Sequence, residues 1–162
     1  MPDFSHDVLI IGAGPAGYVA AIRASQLGLK TLLVEKDKAG GVCLNVGCIP
    51  SKSLLHQAAL FRSIPSLQAM GLQVDASGFD YVAVWQKSRD TASRLSRGVT
   101  GLLRKNKVET LAGSASITGK NEVKVILENG EIRHFVAKNI LIATGSRPKS
   151  MPGYEFDGSQ VL

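Results

Sequence analysis

The chain has 162 residues, 44% of them apolar, enough for one ordinary domain with its own core and too hydrophobic for a disordered segment. A formal charge of +6 suits an anionic ligand or an acidic partner, but the basic residues crowd between Lys87 and Lys107 without interleaved aromatics, which argues against a groove that stacks single-stranded nucleic acid. Two cysteines are too few for a secreted disulfide scaffold, and 17 glycines suggest close backbone approaches to something.

The apolar run VLIIGAGPAGYVAAI (8–22) is flanked by Asp3 and Asp7 where a secretion signal carries Lys or Arg, and it is too short and glycine-rich to span a bilayer. The expectation is a soluble, cytoplasmic protein. Within this region DVLIIGAG predicts a buried parallel strand. PAGYVAAIRASQLG predicts a helix with Ala16, Val19, Ala20, Arg23 and Leu27 near one face and Gly28 as its stop. KTLLVEK predicts a second buried strand, so the first forty residues form a βαβ unit.

Residues 49–62 predict a helix whose apolar set is Leu54, Leu55, Ala58, Ala59 and Phe61. Residues 80–106 predict a longer amphipathic helix with Val82, Trp85, Leu95, Val99 and Leu102 inward. VETLAGSASI reads as a strand entering a turn. EVKVILENGEIRHFVAK alternates about Asn129-Gly130, a hairpin signal, and NILIATG is another buried run closed by glycine. The order predicts the α/β class, a doubly wound Rossmann-like sheet carrying a small antiparallel β-meander.

Gly12, Gly14 and Gly17 form G-x-G-x-x-G between the first strand and the first helix. The first permits a tight turn, the second lets a pyrophosphate approach the backbone, and the third allows helix and strand to pack closely. Glu35 ends the second strand about 20 residues further on, where a carboxylate can accept hydrogen bonds from a ribose. Lys36 beside it reads as solvated. The triplet alone does not separate NAD from FAD.

The two cysteines, Cys43 and Cys48, stand in GVCLNVGCIPSK (41–52). Zinc would need four ligands, and only His6, His56 and His134 could join the thiols, scattered along the chain. Two inert core thiols are the plain alternative. A redox disulfide is the third reading. In a regular helix residues five apart have Cα atoms roughly 8–9 Å apart, beyond the ~7 Å a disulfide tolerates. A bridge therefore requires irregular backbone. Gly40, Gly41, Asn45 and Gly47 permit it, and Pro50 should kink the turn after Cys48. Such a bridge would be strained and reducible, and Cys48 would sit near a helix start that favours a thiolate.

GGVCLNVGCIPSK, with DVLIIGAGPAGYVAAIRASQLG, VEK and ILIATGSRP, resembles the FAD domain of the pyridine nucleotide-disulfide oxidoreductases, most nearly their dihydrolipoamide dehydrogenase branch; glutathione and mercuric reductases share the frame. The resemblance covers essentially the whole chain. It implies FAD, not NAD, on the first fingerprint. Gly12, Gly14 and Gly17, with Pro15 and Ala16, would hold the pyrophosphate and Glu35 the ribose. Lys36, Gly40, Gly41, Val42 and Cys43 would line the cofactor, the Ala115 backbone would meet the adenine, and Thr144, Gly145 and Ser146 would close the flavin side.

The resemblance also assigns chemical roles. Cys43 and Cys48 would form the redox disulfide, Cys43 exchanging with a dithiol substrate and Cys48 acting as the thiolate nearer the flavin. Lys52 would stabilise reduced flavin. Electrons would pass from dihydrolipoamide, borne on a lipoyl-carrying acyltransferase of a 2-oxoacid dehydrogenase complex, through FAD to NAD+ in a homodimer. Members of the family are much longer. Residues 1–150 are therefore expected to be the N-terminal portion of the FAD domain and 151–162 the start of a further region. A second glycine fingerprint for NAD and the family's acid–base histidine would lie elsewhere, leaving this piece a binding module without turnover of its own. His6, His56 and His134 do not match that histidine and read as core or surface.

Overall fold

Two short runs of branched and long apolar residues, β1 (His6–Ile11) and β2 (Thr31–Glu35), lie parallel at the centre, with Val8 opposite Thr31 and Ile11 opposite Val34. The computed structural model describes residues 4–160; Asp3 and the last two residues of the 151–162 segment lie outside them. β3 (Glu109–Gly119) extends the sheet beside β2, and β5 (Ile132–Ile142) extends it beside β1, both parallel. Each outer strand is 11 residues long and serves two sheets. After Ala112 on β3, and before Ala137 on β5, the chain pairs antiparallel with β4 (Glu122–Leu127). The strands thereby close into a ring, β1-β2-β3-β4-β5. The hairpin falls at Asn129-Gly130, where Gly130 has φ 83° and its N–H donates to the Leu127 carbonyl at 2.9 Å.

Strand alternation sorts the side chains into two cores. Ile10 and Leu33 point to the helical side with Ala13, Ala21, Leu44, Val99, Leu103 and Val108. Leu9, Ile11, Leu32 and Val34 point to the other side, where Val123, Val125 and Ala137 of the meander meet them. The α/β class and the meander stand as expected, with the meander covering the second face. Full burial of Leu9, Ile10, Leu32 and Leu33 stabilises the fold by about 1.5–3 kcal/mol for each side chain.

The helices fall where periodicity places them, but their inward faces differ. α1 (Pro15–Gln26) buries Gly17 and Ala21, whereas Val19 and Leu27 are exposed. Between β2 and β3 come α2 (Gly41–Asn45), α3 (Cys48–Arg62), α4 (Ile64–Ala69) and α5 (Tyr81–Lys105). α3 buries only Pro50; Leu55 is 70% exposed, and Ala58, Ala59 and Phe61 are also exposed. α5 buries Ser88, Ala92, Val99 and Leu103, while Val82 is 68% exposed and Trp85, Leu95 and Leu102 face outward. Of the five residues expected inward on α5, Val99 alone is buried. The physical reason is proximity: helices lying close to the sheet and to one another bring small residues into the contact, and the large apolar stripe falls elsewhere.

NILIATG is not a separate element, because the hairpin arm and the returning strand are one continuous β5. Its end is less buried than its composition suggests. Beyond Val136 it has β1 on one side and no described strand on the other, so Leu141 and Ile142 are exposed. Among the described residues no helix is long and apolar enough to cross a membrane.

Leu33→Ala should destabilise the fold by about 2–5 kcal/mol in urea unfolding, whereas Leu55→Ala should change it by about 0.5 kcal/mol or less. Equal effects would contradict the burial pattern.

Candidate functional site

The glycine turn is built by backbone lying on backbone. Gly12 follows β1 with φ 103°, and its N–H donates to the Val34 carbonyl at 2.8 Å. A Cβ at Gly12 would stand 2.3 Å from the Ala143 carbonyl oxygen, and one at Gly17 would stand 1.7 Å from the Gly12 carbonyl oxygen. The protein's own packing thus requires both residues to be glycine. Gly14 is different. It caps α1 with ordinary φ −67°, and a Cβ there would meet nothing within 4 Å. The space before it is open, at a helix start whose first amides have no intrahelical acceptor and whose dipole favours negative charge. Pro15 at the first helical position and Ala16 after it are exposed on the same turn. These residues therefore fit a pyrophosphate.

The segment after β2 docks onto this turn. Gly40 has φ 94° and donates its N–H to the Ala13 carbonyl at 2.8 Å. Gly41 has φ 56°, and a Cβ there would stand 2.8 Å from Gly14 Cα. Glu35 ends β2 and grips both sides: Oε2 accepts the Ala13 N–H at 2.5 Å and Oε1 accepts the Asp37 N–H at 2.9 Å. Each carboxylate oxygen keeps a further lone pair for a hydroxyl donor. Lys36 and Val42 are exposed. Ala143 donates its N–H to the Ile11 carbonyl at 2.8 Å, which brings Thr144 against Gly12; Gly145 comes next with φ 69° and Ser146 is exposed. Ala115 lies three residues beyond Ala112, the partner of Glu35, with its side chain packed on the meander core. The expected cofactor residues therefore gather at the carboxyl ends of the parallel strands and on the β3 extension beyond them, the edge where ligands of such sheets bind.

The cysteines flank a break between two helices. α2 ends at Asn45, Val46 and Gly47 leave helical geometry, and Cys48 opens α3. The Asn45 amide donates to the carbonyls of Gly41 at 2.9 Å and Ala39 at 3.1 Å. From α5, an Arg89 guanidinium N–H donates to the Asn45 carbonyl at 3.2 Å and the Ser96 hydroxyl to the Ala39 carbonyl at 2.7 Å. Sequence reading missed Arg89 and Ser96 as positioning residues. Their partners lie 44 and 57 residues away, and no local pattern marks them.

The irregular backbone expected between the sulfurs is present, but the disulfide is not: both cysteines are free thiols. Cys43 is half-buried and Cys48 exposed. The Cys43 thiol is pushed above the ordinary cysteine value, chiefly by the hydrogen bond with Cys48, then by burial and by the charge of Cys48, while Lys52 pulls it down. Lys52 is exposed on α3, four residues after Cys48 and so on the same face. Pro50 does not kink α3. It is the third helical residue, where its missing N–H would have no intrahelical acceptor anyway. His6 is a core residue, its Nε2 3.0 Å from Glu109 Oε2 and its Nδ1 2.9 Å from the Ser5 hydroxyl, and His56 and His134 are exposed.

The profile of the pyridine nucleotide-disulphide oxidoreductase family matches residues 6–161. A dihydrolipoyl dehydrogenase of Zymomonas mobilis is 45% identical over 96% of this chain and 33% of its own length. One of Chlorobaculum tepidum is 46% identical over the same shares. The chain thus spans about a third of the length of the curated relatives it matches. Among solved structures, LpdA of Mycobacterium tuberculosis superposes with a TM-score of 0.85 at 24% identity, covering 96% of this chain and 35% of that one, which shows a shared fold.

Cys48→Ala removes the main cause holding the Cys43 proton, so the midpoint of Cys43 alkylation should move to lower pH. Mass-spectrometric rate profiles with iodoacetamide report it; an unchanged or higher midpoint would contradict Cys48 as the cause.

Proposed function

The chain belongs to the pyridine nucleotide-disulphide oxidoreductases, and on that footing we propose that residues 1–150 are the N-terminal FAD-binding portion of a dihydrolipoyl dehydrogenase. The observation that carries this reading is the contact of Gly41 with Gly14, which seats the cysteine-bearing helix against the phosphate-ready turn. The pyrophosphate of FAD would rest on Gly12, Gly14, Pro15, Ala16 and Gly17, and its ribose on Glu35. Lys36, Gly40, Gly41, Val42, the Ala115 backbone, and Thr144, Gly145 and Ser146 would line the rest. When bound, FAD would supply two-electron acceptance, with NAD+ as the family's final acceptor.

The protein's own part is thiol–disulfide exchange. A thiolate of dihydrolipoamide attacks Cys43 Sγ of the oxidised pair; the S–S bond breaks and Cys48 leaves as thiolate. The second substrate thiol, deprotonated, attacks the mixed disulfide and releases the cyclic disulfide, and Cys43 takes up a proton. The substrate has lost two electrons and two protons, and the cysteine pair has gained two electrons. Of the two protons, one stays on Cys43 and the other passes to solvent, so the reduced pair is a Cys43 thiol beside a Cys48 thiolate. Lys52 lies one helical turn from Cys48 and favours negative charge there. Exchange at Cys43 follows the family pattern.

Turnover is proposed for the whole protein, about three times as long in the relatives. The substrate would arrive on a lipoyl-carrying acyltransferase of a 2-oxoacid dehydrogenase complex, at a homodimer in the cytoplasm.

Gly14→Asp places a carboxylate in the open phosphate position without a clash, so FAD affinity in a fluorescence titration should fall at least tenfold; Glu35→Ala should also weaken it. Unchanged affinity in both variants would overturn the cofactor assignment. In Cys48→Ser, reaction with lipoamide should stop at a mixed disulfide on Cys43, read by peptide mapping. An adduct that forms only on Cys48, in Cys43→Ser, would reverse the roles.

A further inference from the structure

The cations of α5 are not evenly solvated. Between α5 and the 36–45 segment lies a cleft of about 320 Å3, lined by Lys38, Asn45, Arg89, Ser93, Ser96 and Arg97 together with Ala92. Three of these residues are cationic and none is acidic. Among the described residues the ion pairs are His6–Glu109, Arg133–Glu131 and Lys138–Asp7, so none of them involves Lys38, Arg89 or Arg97; Asp90 lies with Arg97 on the adjoining cleft and not on this one. Arg89 and Arg97 are eight residues apart on one helix, about 12 Å along its axis, and Ser93 and Ser96 lie between them on the same face. Lys38 faces them from the loop across the cleft.

The cleft is also held open. Arg89 spends one guanidinium N–H on the Asn45 carbonyl at 3.2 Å, and Ser96 spans to the Ala39 carbonyl at 2.7 Å. These bonds fix the two walls relative to each other; Arg89 also spends its Nε–H on the Ser88 hydroxyl at 3.4 Å, which leaves its remaining terminal N–H donors and those of Arg97 for a ligand. Three like charges on fixed walls repel unless an anion lies among them, and guanidinium groups pair well with phosphate oxygens. The spread along the helix suits linked phosphates better than one small ion.

We propose that this cleft binds an oligophosphate, a ligand with two or more linked phosphates, at a site separate from the glycine turn. Because Arg89 also holds the end of α2, the bound anion would rest on the scaffold of the cysteine segment.

The test is a titration of the chain with tripolyphosphate and with ATP at physiological ionic strength, by calorimetry and by amide chemical shifts. Saturable binding is expected, with shifts centred on residues 93–97. The double variant Lys38→Gln with Arg97→Gln should lose at least tenfold in affinity, and Gly14→Asp should keep it. Equal affinities identify the free oligophosphate as the ligand, and tighter ATP binding identifies a nucleotide; both support the site. No saturable binding, an unchanged affinity in the double variant, or loss in Gly14→Asp with shifts at residues 12–17 would overturn it.

Discussion

Where β1 ends, three stretches of backbone touch one another with no side chain between them. Gly12 lies under Ala143, Gly17 of α1 lies on Gly12, and Gly41 of α2 lies on Gly14. This crossing places the candidate cofactor site. It sets how closely α1 approaches the sheet, where the strand end delivers its amides, and how near the cysteine segment comes to them. A methyl group at the first two positions would force the backbone apart, a cost that no rotamer change relieves. Glu35 secures the same crossing through hydrogen bonds to Ala13 and Asp37. One carboxylate therefore both stabilises the turn and offers itself to a ligand.

The sheet beneath is stiff for a related reason. β1 and β2 are buried on both faces, one layer of side chains meeting the helices and the next meeting the meander. A strand end anchored in two cores moves little, which suits a turn that must hold its donors in position. The cysteine segment is tied in two ways: Leu44 is buried in the helical-side core with Cys43 and Ile49 packed against it, and polar contacts reach back from α5, Arg89 to Asn45 and Ser96 to Ala39.

What could be read from residues alone divides along physical lines. The strands, the hairpin and the glycine turn were legible because each is dictated locally: by a run of apolar residues, by a dipeptide that accepts positive φ, or by spacing that only glycine satisfies. The break between Cys43 and Cys48 was legible through the disulfide reading, since a bridge over five residues cannot form in regular helix and the glycines there permit irregular backbone. The helix faces were not. Val19, Leu55, Val82 and Trp85 have the residue types of a core, yet Gly17, Ala21, Ser88 and Ala92 occupy it, because close packing selects for size rather than hydrophobicity. The redox state of the thiols has no local signature either, because the same residues serve both forms. Arg89 and Ser96 act over dozens of residues, beyond the reach of any local pattern.

The closed ring of strands has a consequence for how the molecule assembles. β1 is completed on one edge by β2, only some twenty residues later, but on the other edge by β5, whose pairing joins His6 to Ala137. During synthesis the first βαβ unit emerges early and waits with one hydrophobic edge unpaired while more than a hundred residues are added. High contact order of this kind slows folding and lengthens the interval in which an open edge can pair with a neighbouring chain. The Ser5 hydroxyl bonded to the Val136 carbonyl, and Lys138 bonded to Asp7, are contacts that form only when the late strand arrives. They sit at the start of β1, so of these five strands the latest to be made is the one that seals the first.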